Sequence, residues 1–108
     1  MKVERQLARR DVDKRLIGGR RHLVIAYTIK LENLLPVTAK LTIHDQFPVS
    51  RHEEIKVHLE SADPKPVEVS EMNLLRWEFT LEPHEKRTIR FDFAVDSPQG
   101  MEIVGFPG

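Results

Sequence analysis

The stretch HLVIAYTIKLE, residues 22–32, decides the fold. Leu23, Ile25, Tyr27, Ile29 and Leu31 share one parity; His22, Val24, Ala26, Thr28, Lys30 and Glu32 share the other. A period of two sends successive side chains to opposite faces of a strand. A slip of one residue would expose the whole apolar set, so the facing of this strand is firmly specified.

Working outward, the same alternation returns after the turn-forming stretch NLLP at 33–36. Val37, Ala39, Leu41 and Ile43 fall on one face, with Thr38, Lys40, Thr42 and His44 between them. These two runs read as a hairpin. The stretch DQFPVS at 45–50 interrupts the ladder, because Pro48 has no N–H and holds Phe47 extended. Ile55, Val57 and Leu59 alternate again, 62–66 reads as a loop, and Val67 and Val69 start a short strand. Leu75, Trp77, Phe79 and Leu81 form a further run, followed after a turn at 83–85 by Ile89, Phe91, Phe93 and Val95. A tail carrying Ile103, Val104 and Phe106 offers a last edge. About seven short strands with turn signals between them predict an all-β, antiparallel sandwich of immunoglobulin or fibronectin-III type, in one domain over 1–108.

The first 20 residues alternate weakly, and Val3, Leu7 and Ala8 also fit a helical stripe. We read 1–20 as a charged edge strand or arm, since Lys and Arg along a rim discourage edge-to-edge aggregation. Residues 1–21 hold eight basic side chains against three acidic ones, although the whole chain of 108 residues carries a net charge of zero. Arg9, Arg10, Arg15, Arg20 and Arg21 are therefore the candidate residues for an anionic ligand. No aromatic residue is interleaved with them, which counts against single-stranded nucleic acid.

Composition is that of a globular domain, with 40% hydrophobic and 31% charged residues. The absence of cysteine excludes disulfides, thiolate metal sites and thiol nucleophiles. No apolar run approaches the roughly 18 residues that span a bilayer. No apolar h-region follows Met1, so neither a membrane span nor a signal peptide is expected, and the compartment stays open.

Three segments together resemble one family: YTIKLEN at 27–33, DQFPVS at 45–50 with Ile55-Lys56-Val57, and LRWEFTLEP at 75–83. They are similar to the C-terminal domain of bacterial mucoidy-inhibitor-like proteins, a group of unknown function. The likeness runs from about Arg20 to Gly105. It implies a C-terminal module of a longer protein, or a shortened relative, and it carries no catalytic residues. The chain departs from the family pattern at His84, where glycine usually follows the proline, and at Met72-Asn73-Leu74, in place of a glycine-containing turn.

Chemistry is sparse. The five histidines, His22, His44, His52, His58 and His84, have no paired spacing that would gather zinc ligands. His44, Asp45 and Ser50 are near one another in sequence, but a triad is defined by geometry and there is no nucleophile elbow. Asp45 and Ser50 are expected instead to satisfy backbone N–H groups around Pro48. Trp77 and Tyr27 share parity with apolar neighbours and are expected in the core. The expectation is a non-catalytic module with no cofactor and no small-molecule substrate, engaging a protein partner or a second copy of itself.

Overall fold

The computed structural model describes residues 1–17 and 20–98, with side chains at 1–8 and 21–98. The expected tail edge at Ile103, Val104 and Phe106 lies outside the described residues. Seven strands follow in order: β1 (Lys2–Ile17), β2 (Arg20–Glu32), β3 (Ala39–Gln46), β4 (Lys56–Asp63), β5 (Glu68–Val69), β6 (Leu74–Leu81) and β7 (Lys86–Pro98). Among the described residues there is no helix. The strands form two antiparallel sheets, β1-β2-β7-β4 and β3-β6-β5, in a sandwich. The division into four and three strands is that of a constant-type immunoglobulin sandwich, but the order is not. Here β7 stands beside β2, the place of the fifth strand in that topology, and β5 takes the edge place of the seventh.

The alternating residues of β2, β6 and β7 do what their parity demands, whereas Val37, expected on the face of Ala39, Leu41 and Ile43, precedes β3 and is 59% exposed. Leu23, Ile25, Ile29 and Leu31 of β2, Leu75, Trp77 and Leu81 of β6, and Ile89, Phe91, Phe93 and Val95 of β7 are all buried together with Phe47. Trp77 is 1% exposed. Its Nε1 donates to the Pro64 carbonyl at 2.8 Å, which supplies the partner a buried indole needs. At Ala62 and Asp63 the strand β4 continues where a loop was expected. A register shift between Leu59 and Ser61 adds one residue, and Ala62 thereby returns to the core side opposite Phe91.

The expected hairpin does not form. β2 is an interior strand, pairing with β1 and with the whole of β7, while β3 belongs to the other sheet and pairs with β6. Periodicity reports which way a side chain faces, not which strand lies alongside, so two successive alternating runs do not have to be neighbours in one sheet. The crossing is made at Asn33, which is wholly buried. Its Nδ2 donates to the carbonyls of Val37 (2.9 Å), Leu81 (3.1 Å) and Glu82 (3.1 Å). Its Oδ1 accepts from Leu35 N–H at 3.0 Å, closing a side-chain turn. Its backbone N–H donates to Glu85 and its carbonyl accepts from His84. One side chain thus staples the β2–β3 corner to the β6–β7 corner.

Asn73 (φ 60°) and His84 (φ 63°) are the non-glycine residues in left-handed conformation among those described. They fall in the two turns where the family resemblance expects glycine, so the turn geometry is kept without it. The strain of a β-carbon there is about 1 to 2 kcal/mol, and asparagine tolerates it better than histidine.

Two stability predictions follow from these turns. Asn33→Ala leaves three carbonyls short of a donor and should lower stability by about 3 kcal/mol, read as an earlier urea midpoint at unchanged slope. His84→Gly should raise stability by about 0.5 kcal/mol, the relief of strain exceeding glycine's extra chain entropy; a loss of stability would show that the histidine side chain itself holds the turn.

Candidate functional site

The feature that distinguishes the surface is β1. It has 16 residues, against the 3 to 10 or so of common strands, and lies at the rim of the four-stranded sheet with β2 as its neighbour. Charges set its register. On the outer face Lys2 stands opposite Glu32 and Glu4 opposite Lys30, and a shift of two residues would set Lys2 against Lys30. The opposite parity of β1 places Val3 across from Leu31, Arg5 across from Ile29 and Leu7 across from Tyr27. That face looks inward but is only partly covered: Met1, Val3 and Leu7 are 43%, 53% and 47% exposed. A register shift between Leu7 and Arg9 then bulges the strand at Ala8.

Arg5 fastens this rim to the opposite sheet. Its guanidinium carbon sits 3.8 Å from the centroid of the Tyr27 ring, a cation–π stack. Its Nε and Nη2 donate to the two carboxylate oxygens of Asp45 on β3, at 2.8 and 3.1 Å. The Asp45 side chain is only 9% exposed, against 45% for Arg5. Asp45 raises the guanidinium pKa above its ordinary value, mainly by accepting its hydrogen bond, so Arg5 remains a cation at every pH the fold meets. The fork-to-fork geometry is the one arginine provides and lysine does not.

Asp45 and Ser50 do satisfy nearby backbone. Asp45 Oδ1 accepts from Gln46 N–H at 2.7 Å, and Ser50 Oγ accepts from His52 N–H at 3.2 Å. The reading of Asp45 missed its second partner, because nothing local announces an arginine 40 residues away. Tyr27 is half-buried beneath Arg5 rather than fully in the core. His44 and Asp45 occupy opposite faces of β3, with His44 exposed, so they do not converge with Ser50.

Of the anion-binding candidates, the side chains of Arg9, Arg10, Arg15 and Arg20 lie outside the described residues. Arg21 is exposed. The histidines are not all scattered. His22 Nδ1 lies 2.5 Å from one oxygen of Asp96 and His58 Nδ1 lies 3.8 Å from the other, across three adjoining strands. His58 Nε2 also meets Glu60 at 2.7 Å. Among the described residues no group of three or more His, Cys, Asp or Glu is placed to hold a metal. An open recess of about 540 Å³ beside Ser50, His52, Ile55 and His58 has its hydroxyl and imidazole engaged in the local turn: Ser50 Oγ donates to the His52 carbonyl, and His52 Nδ1 accepts from Glu54 N–H.

The Arg5–Asp45 clamp makes a quantitative prediction. Arg5→Ala strands a nearly buried carboxylate and should cost about 2 kcal/mol, while adding Asp45→Ala should cost little more. A double-mutant cycle by urea denaturation should give a coupling of about 1 kcal/mol, discounted for the exposed guanidinium; strict additivity would remove the clamp.

No curated protein and no solved structure matches the chain. A family model described as a domain of unknown function, DUF4139, matches residues 1–99, from β1 through the end of β7. The chain therefore belongs to the DUF4139 family.

Proposed function

We propose that this domain is a non-catalytic interaction module that engages another polypeptide by strand addition along β1. The supporting observation is that, among the described residues, no strand pairs with the outer rim of β1, which is flanked by the exposed Met1, Val3 and Leu7. An unpaired edge offers a row of backbone donors and acceptors to an incoming strand, and alternate side chains supply selectivity. The Arg5 clamp holds the rim in place, so an incoming strand meets a preorganised template and not a fraying end.

The non-enzymatic reading is supported by how the polar groups of the histidine and serine regions are used. Ser50 and His52 are spent on a turn, His22 and His58 on ion pairs with Asp96, and Asp45 on the clamp. The resemblance of the segments at 27–33, 45–50 and 75–83 supports a wider setting: the C-terminal module of a longer bacterial mucoidy-inhibitor-like protein. In that setting the domain is a junction that joins its parent chain to a partner.

Panning a random-peptide phage library against the wild-type domain and against Leu7→Lys tests strand addition itself. Enrichment of extended, alternating apolar–polar peptides that lose binding to Leu7→Lys is expected. Peptides that bind both proteins equally, or no enrichment, would overturn the role of β1.

A further inference from the structure

We infer that the strand added to β1 is the β1 of a second copy of this chain, paired antiparallel about a two-fold axis at Arg5. This inference rests on the strand-addition reading above and names its partner. Toward the C-terminus the regular ladder of β1 ends at Leu7, because the bulge at Ala8 bends the strand.

Within that segment the rim is complementary to itself. With the two strands antiparallel and Arg5 at the axis, Val3 stands opposite Leu7 of the partner subunit, and Leu7 opposite Val3 of the partner subunit. These are the side chains that the sandwich leaves about half exposed, at 53% and 47%. On the outer face Glu4 stands opposite Gln6 of the partner subunit, so a side-chain amide meets a carboxylate. The chain already makes this contact within itself, Gln6 Nε2 donating to Glu4 Oε1 at 2.8 Å. Apolar and polar cross-strand pairs of this kind are the unit of sheet stabilisation. The central arginines would repel if free. Each is instead held bidentate on its own Asp45 and stacked on its own Tyr27, so each copy neutralises its own charge before the strands meet.

An isologous contact of this form uses one surface patch twice and closes at two copies. Displaced by one residue toward the N-terminus, the pairing would set Val3 opposite Gln6 of the partner subunit and Leu7 opposite Lys2 of the partner subunit. Displaced by two, with Glu4 at the axis, the pairing would set Leu7 opposite Met1 of the partner subunit but Val3 opposite Arg5 of the partner subunit. Of these registers the proposed one sets Val3 and Leu7, the two most exposed apolar side chains of the segment, opposite each other.

The native chain has no cysteine, so introduced thiols report alone. Val3→Cys/Leu7→Cys should form a covalent dimer on oxidation or with a short thiol-reactive cross-linker, while each single variant should not. Light scattering of the wild-type domain should show a mass that doubles with concentration and survives high salt, and Leu7→Lys should weaken association on the order of tenfold. Covalent dimer from Val3→Cys alone would overturn the register. A wild-type monomer at all concentrations would overturn the second copy as partner. If β1-dependent peptides still emerge from the phage selection, that failure belongs to this inference and not to strand addition.

Discussion

The buried side chain of Asn33 is the constraint on which the arrangement of the two sheets depends. A sandwich must carry its chain from one layer to the other, and each crossing brings backbone groups into a place where water cannot serve them. Here two crossings, β2 to β3 and β6 to β7, lie side by side, and one amide caps carbonyls from both. The same residue pairs its own backbone with His84 and Glu85. An apolar residue of similar size would fill the volume and leave the carbonyls unsatisfied. Asn33 therefore couples the corners, and through them the facing of β2, β3, β6 and β7.

The layers that Asn33 joins are specified by different forces. The inner faces are held by apolar burial around Trp77, Phe91 and Phe93, where volume and parity leave little choice. The outer faces are held in register by charge, as with Lys2 and Glu4 against Glu32 and Lys30, or Arg76 between Glu68 and Glu78. Surface pairs contribute little stability singly. Their value here is in the choice of register, where a displaced strand would set like charges opposite each other.

The open rim of β1 is where the two sets of forces end. Lys2 and Glu4 on its outer face are matched to Glu32 and Lys30 of β2, while Val3 and Leu7 on its inner face leave a gap in the cover, at 53% and 47% exposed. Arg5 closes part of that gap by reaching Asp45 across the layers, which leaves Val3 and Leu7 on either side of the clamp. The bulge at Ala8 interrupts the regular ladder of this edge partway along its length.

Parity within each run was legible from the amino-acid sequence alone. It determined the all-β class, the inward residues of β2, β6 and β7 and the core position of Trp77. These depend on neighbours one and two residues away, and alternation records them directly. Which strands pair was decided only in three dimensions. β2 and β3 follow one another in sequence yet lie in different sheets, and β7 inserts beside β2 from more than 50 residues on. The clamp of Arg5 on Asp45 and the convergence of His22 and His58 on Asp96 belong to the same class. Each joins strands brought together by the path of the chain, and a period of two carries no information about that path.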